Sequence, residues 1–227
     1  MFARRHALKA AFCLISLVAL PMPGYSSEPP SSELVVYLTS NSGTGSVQPQ
    51  RSIDYMKLEV GRLMAMAGYR VTWRDARSSG RETINGALAL VELRGLCGIS
   101  TGSPLRDAGP MKSNSFATTS VSEGRVLPFS AVHCDNLTTA LAGPLATEPG
   151  SRRDYLYGRA MARVLAHELY HVLLRTVDHA HSGIARTSFN ATDLLTERFD
   201  FETTTLAKLR GHSENSAQAE SETASGR

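Results

Sequence analysis

The sequence predicts an α+β domain in which a small mixed sheet packs on two main helices. Five short runs rich in β-branched and aromatic residues are separated by Gly-, Pro- and Ser-rich stretches, a pattern typical of strands. Two longer segments place apolar residues at the spacing of amphipathic helices. The 227 residues are enough for one domain with a hydrophobic core, and few for two.

The first half of the domain contains three of these strands and one of the helices. A strand at 34–38 is followed by a helix at 53–66, which Gly68 ends, and by an alternating strand at 69–74. The domain therefore opens strand–helix–strand. A third strand, mostly buried by composition, spans 87–93.

The second half is predicted to contain a hairpin and the long helix. Runs 116–121 and 125–132 flank the turn residues 122–124, which indicates an antiparallel pair. The long helix should cover 154–175, with Ser151 or Asp154 as its cap. A shorter helix is predicted at 199–209. The inward face of the long helix is formed by Leu156, Ala160, Val164, His167 and His171.

Both ends of the chain are expected to lie outside this domain. Arg4, Arg5 and Lys9 precede the apolar run 10–20, which is too short to span a bilayer. Residues 1–26 therefore read as a secretory signal peptide. The expected product is periplasmic or secreted.

The remaining boundaries follow from composition. Residues 27–32 read as a linker, 33–210 as the domain and 211–227 as a disordered tail, because the tail has no apolar residue larger than alanine.

Charge and hydrophobicity argue against nucleic acid as a partner and against a membrane span. The chain carries a formal charge of +3, and all three excess positive residues lie in 1–26. The rest of the chain has no basic stripe and no aromatic stacking platform, so nucleic acid is not expected as a partner. No second apolar run is long enough to cross a membrane.

Two cysteines, Cys97 and Cys134, lie outside the predicted signal peptide. In an exported protein two thiols are expected to form a disulfide. Two buried free thiols are the alternative. Neither cysteine belongs to a C-x-x-C pair, so a redox or zinc-ribbon site is not indicated.

The segment His167-Glu168-Leu169-Tyr170-His171 lies inside the predicted long helix. Residues four apart on a helix share a face, so both imidazoles can bind one metal ion. Glu168 follows the first histidine and is placed to act on a metal-bound water as a general base. The pattern predicts a catalytic Zn²⁺ site.

The pattern leaves the third ligand open. His179 is favoured, because it lies just beyond the helix and three imidazoles make a normal open catalytic site. The alternatives are His181, Asp178, Glu197 and Glu202. His133 and His212 are interpreted as ordinary core or surface residues.

Three stretches together resemble a group of small exported bacterial zincin-like metallopeptidases. These are the His-Glu-x-x-His run 163–174, His179 in the following loop, and the turn Gly183-Ile184-Ala185. The resemblance extends to Trp73, Cys97, the segment 124–129, Cys134 and the closing segment 201–210.

The resemblance implies a metzincin-like site on a zincin-like fold. It implies His167, His171 and His179 as zinc ligands, Glu168 as the base, and an edge strand at 116–121 that binds an extended substrate. The sequence departs from the family pattern at three positions. Tyr170 replaces a glycine, Ala185 replaces the methionine of the turn beneath the metal, and Arg175 stands where a glycine often ends the helix.

The expected function is therefore zinc-dependent hydrolysis of peptide bonds in a peptide or protein substrate. Two alternatives use the same residues. One is a zinc hydrolase of a non-peptide amide or ester, and the other is a non-catalytic zincin-like zinc-binding protein. A purely structural zinc site has no need of Glu168, which argues against the second.

Overall fold

The computed structural model describes residues 32–41, 47–78, 84, 86–99 and 115–225, with side chains up to 218. The predicted signal peptide and residues 27–31 of the predicted linker lie outside the described residues. Ser32, expected in the linker, is instead the first residue of a strand and is buried.

Among the described residues the sheet has five strands, in the order β2-β1-β3-β5-β4. They are β1 (Ser32–Asn41), β2 (Tyr69–Asp75), β3 (Ala87–Arg94), β4 (Ala117–Ser122) and β5 (Arg125–His133). The first four in spatial order are parallel to their neighbours, and β4 pairs antiparallel with β5. The predicted mixed sheet is confirmed, and β4 forms one of its edges.

Two helices pack against one face of the sheet, as predicted. Helix α1 (Gln50–Met66) connects β1 to β2, and helix α3 (Gly150–Leu174) packs on α1 and on strands β4 and β5. The apolar residues between these layers form the core, including Leu34, Val36, Met56, Leu63, Val91, Val132, Met161 and Leu165. The predicted inward face of α3, from Leu156 to His171, is buried.

Helix α3 starts earlier than predicted and without a side-chain cap. Its N-cap is Pro149, whose backbone is extended (φ −57°, ψ 149°), and no side chain caps the helix. The carbonyl of Pro149 accepts from the N–H of Arg153 at 2.8 Å. Proline already holds φ near the required value, so the helix begins at Gly150 and the predicted caps Ser151 and Asp154 are wrong.

Three further α-helices and a short 3-10 helix (Ala76–Ser78) complete the described chain. Helix α2 (Cys134–Ala142) lies where the sequence predicted only a loop, and α4 (Ala191–Leu195) is capped by Asn190. Helix α5 (Thr203–Ser225) begins in the predicted helical segment but runs much farther. Among the described residues, no helix is both long and apolar enough to cross a membrane.

Over residues 211–225, helix α5 replaces the disorder that was predicted for the C-terminal tail. Ser213 is buried and donates to the carbonyl of Gly68 at 2.7 Å, while its own carbonyl accepts from Ser32 at 2.6 Å. His212 pairs with the hydroxyl of Tyr69 at 2.9 Å. Small polar residues anchor this helix to the ends of β1 and β2, and a rule based on large apolar residues overlooks such contacts.

Cys97 and Cys134 form a disulfide, as predicted, with Cα atoms 4.8 Å apart. The bond joins the chain just after β3 to the first residue of α2. It thereby ties two neighbouring parallel strands, β3 and β5, together just beyond their carboxyl ends.

Candidate metal centre

Helix α3 presents His167 and His171 on the same face, one turn apart. Their side chains are almost fully buried, with residue exposures of 7% and 8%. The ring centroids are 4.7 Å apart. The sequence prediction that both histidines turn inward together is confirmed.

Backbone carbonyls determine which nitrogen of each ring carries the proton. His167 Nδ1 lies 2.7 Å from the carbonyl of Ile184, and His171 Nδ1 lies 2.7 Å from the carbonyl of Thr176. A carbonyl only accepts, so each Nδ1 must donate. In the neutral rings both Nε2 atoms are therefore left with lone pairs.

These two lone pairs face each other. His167 Nε2 and His171 Nε2 are 3.1 Å apart. With no proton between them the contact is repulsive, and a cation bound to both would make it favourable. Two ligands on a tetrahedral zinc ion, each at the usual Zn–N distance, are separated by about 3.3 Å. The pair fits such an ion.

His179 completes a cluster of three histidines. The ligating nitrogens of His167, His171 and His179 lie within 4.8 Å of one another, so the three can hold a metal ion. The ring of His179 stacks on that of His167, with centroids 5.2 Å apart, and meets that of His171 edge-on. Unlike the other two, His179 is exposed, so the cluster opens to solvent on its side.

The alternative third ligands considered from the sequence lie outside this cluster. Among the described residues, the three histidines are the group that converges on a point. Glu202 is half-buried and accepts hydrogen bonds from Ser182 and Thr204. Glu197 is exposed, and the peptide carbonyl of Asp178 accepts from Tyr170.

Burial keeps the two helix histidines in the form that binds metal. Desolvation lowers the pKa of His167 to about 4, and it also lowers the pKa of His171. Metal binding requires a neutral imidazole. Neither ring would therefore have to lose a proton at neutral pH.

Glu168 is buried beside the three histidines but does not belong to their cluster. It is 6% exposed, and its Oε2 accepts a hydrogen bond of 2.6 Å from Thr119 on β4. Burial raises the pKa of Glu168 to about 7, and the hydrogen bond from Thr119 opposes that rise. A buried carboxyl group with this pKa suits proton transfer near neutral pH.

The turn Gly183-Ile184-Ala185 lies directly against the histidines. Its Ile184 carbonyl accepts from His167, and Gly183 bridges to Phe201. Gly183 has φ +67°, and a Cβ there would lie 2.5 Å from the carbonyl oxygen of Asp200. Ala185 is fully buried, so this side of the turn is apolar.

Buried Arg163 holds the segment behind this turn. It lies one helical turn before His167 and is fully buried. Its Nη1 donates to the carbonyls of Leu194 and Thr196, at 2.7 and 2.6 Å, and its Nη2 donates to that of Glu197 at 3.2 Å. The same helix that carries two histidines thus also fixes the chain that follows α4.

Sequence reasoning missed four residues of this neighbourhood. They are Thr119, Ser130, whose hydroxyl oxygen lies 3.0 Å from that of Thr119, the hydroxyl of Tyr170, and Arg163. Two arginines one turn apart inside an otherwise apolar stretch of α3, Arg159 and Arg163, were a usable signal for Arg163. Nothing local marks the other three, because their partners are distant in sequence. His133 and His212 lie outside the cluster, as expected, against Thr118 and Tyr69.

A separate cavity of about 360 Å³ lies against the other face of the sheet. Its lining includes Tyr37, Thr39, Glu92, Arg94 and Phe129, and none of the three clustered histidines.

The sequence matches none of the protein-family models it was compared with, and no curated protein matches it significantly. Function is therefore inferred from the geometry of the histidine cluster and the residues around it.

Proposed function

We propose that this protein is an exported zinc-dependent hydrolase, an endopeptidase in which Glu168 is the general base. His167, His171 and His179 would hold Zn²⁺. One observation carries the proposal most: two buried Nε2 lone pairs face each other at 3.1 Å, and both rings are locked in that state by carbonyl acceptors. Such an arrangement is unfavourable in the absence of a cation.

The donor set favours zinc and catalysis over a closed structural site. Three imidazoles are a normal catalytic set, because they leave a fourth position open. When bound there, Zn²⁺ supplies a polarised water at neutral pH. Glu168 lies next to the first ligand, stays outside the ligand set, and can take a proton from that water.

The choice of a peptide substrate is supported by the edge strand. Within the described part of the chain, β4 pairs with β5 alone, and it packs on the helix that carries the histidines. An extended peptide can add to such an edge through backbone hydrogen bonds. Hydrolysis of a non-peptide amide or ester would use the same residues without this edge.

The experiment compares zinc-loaded wild type with Glu168→Gln on a peptide library. We expect cleavage by wild type, loss of cleavage when a chelator removes the metal, and recovery on adding Zn²⁺. Glu168→Gln should bind zinc normally and lose at least about 100-fold in rate, since general-base catalysis typically contributes that much.

Glu197→Gln is the matched control, because Glu197 is an exposed carboxylate outside the cluster. It should cleave like wild type. Equal activity of Glu168→Gln and wild type would overturn the catalytic proposal. A protein that binds zinc but hydrolyses no peptide, amide or ester would be the non-catalytic alternative.

A further inference from the structure

Thr119, a residue of β4, is hydrogen-bonded to the carboxylate of Glu168. Thr119 Oγ1 lies 2.6 Å from Glu168 Oε2, although the two residues are 49 positions apart. A carboxylate only accepts, so the threonine hydroxyl donates. The contact engages one of the two carboxylate oxygens.

A second hydroxyl determines the direction of the first. Ser130 on β5 is the register partner of Thr119, and their hydroxyl oxygens are 3.0 Å apart. A hydroxyl has one proton, and Thr119 gives its proton to Glu168. Ser130, which is 5% exposed, must therefore donate to Thr119. The three side chains form one row of hydrogen bonds from β5 through β4 to α3.

The strand geometry aims Thr119 at the helix. Side chains alternate along a strand, so Thr119 faces α3 with buried Ala117, while Thr118 faces the other way toward His133. The pairing of β4 with β5 shifts register directly after Thr119. The shifted part of β5 contains Pro128, which has no N–H to donate to a hydrogen bond between the strands.

We propose that Thr119 is a positioning residue for Glu168, with Ser130 as its support. This rests on the proposed function, in which Glu168 acts as the base. A glutamate has three rotatable bonds, and a general base must lie within hydrogen-bonding reach of the proton it takes. The hydroxyl row holds Oε2 against the strand and leaves Oε1 to meet the water.

The kinetic test replaces the hydroxyl without changing the shape. Thr119→Val keeps the β-branched form, and Thr119→Ser keeps the hydroxyl. We expect Thr119→Val to lower kcat by about 10- to 100-fold, the range of a misplaced catalytic group, with KM and zinc content unchanged. Thr119→Ser should restore most of kcat. Thr139→Val, at an exposed position of α2 that belongs neither to the histidine cluster nor to β4, should behave like wild type.

Ser130→Ala serves as a second variant if Thr119→Val folds poorly. It leaves Thr119 in place and removes only its donor, so kcat should fall less, again at constant KM. Equal kcat in wild type, Thr119→Val and Ser130→Ala would overturn the proposal. So would equal loss in Thr119→Val and Thr119→Ser, because that result would mean a packing role.

Crystal structures of zinc-loaded wild type and Thr119→Val test whether Thr119 positions Glu168, and they do so even if no substrate is hydrolysed. We expect the Glu168 carboxylate to keep its contact with Thr119 in wild type and to turn away from residue 119 in the valine variant. An unmoved carboxylate in the variant would refute the positioning role. If wild type binds zinc and shows this displacement but hydrolyses nothing, the proposed function fails and the positioning of Glu168 stands.

Discussion

The hydroxyl of Tyr170 donates a hydrogen bond to the backbone carbonyl of Asp178 at 3.1 Å. Tyr170 lies on α3 directly before His171, and Asp178 directly precedes His179. The bond therefore connects the helix that carries two of the clustered histidines to the loop that carries the third.

Tyr170→Phe should weaken zinc binding through His179. Losing one neutral hydrogen bond typically costs about 0.5–1.5 kcal/mol, which corresponds to roughly a 2- to 12-fold higher Kd. Competition with a chelator measures that Kd. In the His179→Ala background the same change should have no effect, because the loop no longer supplies a ligand.

Tyr55→Phe is the control for this cycle. Tyr55 lies on α1 and contacts the ring of Tyr155, away from the histidines. Zinc affinity should match that of wild type. An equal effect of Tyr170→Phe with and without His179 would mean that Tyr170 does not act through the third ligand.

His179→Ala should lower zinc affinity at least about 100-fold, since even partners of metal ligands are worth 10- to 100-fold. His181→Ala should leave affinity unchanged, because His181 lies outside the cluster although it is only two residues away. Metal content after dialysis and chelator competition give the comparison. Full zinc retention in His179→Ala would exclude it as a ligand.

Arg175→Gly should stabilise the protein. Arg175 ends α3 with φ +50°, in the left-handed region that glycine favours. For other residues that conformation costs roughly 1–2 kcal/mol, so we expect a gain of about 1 kcal/mol in the free energy of unfolding. Urea unfolding of the metal-free protein measures it.

Arg175→Ala separates this backbone effect from the loss of the charged side chain. Alanine has a Cβ and stays strained, so it should not stabilise the protein. If both variants gained equally, removal of the arginine side chain would be the cause. We expect both variants to keep the turn at the end of α3, since the hydrogen bond between His171 and the Thr176 carbonyl holds it.

Gly158→Ala should destabilise the packing of α3 on α1. A Cβ at residue 158 would lie 2.4 Å from the Ser52 carbonyl oxygen and 2.6 Å from Tyr55 Cβ. Overpacking of this kind typically costs about 1–3 kcal/mol. Gly61→Ala is the control, since nothing lies within 4 Å of its added Cβ.

Gly61→Ala should instead stabilise by about 0.5–1 kcal/mol, because alanine suits a helix interior better than glycine. Urea unfolding of both variants measures whether the free energy of unfolding falls for Gly158→Ala and rises for Gly61→Ala. Equal effects at residues 158 and 61 would contradict a close helix crossing at Gly158.

Several strands and both main helices follow from local patterns in the sequence. Short apolar or alternating runs predicted β1 to β5, and helical spacing predicted α1 and α3. The errors lie where local patterns are weak. The start of α3 depends on Pro149 rather than a polar cap, and α5 continues past Leu209 because Ser213 and His212 contact distant residues.

The sequence alone was enough to predict that residues 167–171 lie on a helix with both histidines on one face. A helix places positions four apart on one face, so His167 and His171 had to meet, with Glu168 beside them. What the tertiary structure decided is how this trio is held. The Ile184 carbonyl orients His167, Tyr170 holds the loop of His179, and Thr119 engages Glu168. Periodicity shows which residues share a helix face, but contacts with a separate strand or loop arise only when the packed layers bring distant segments together.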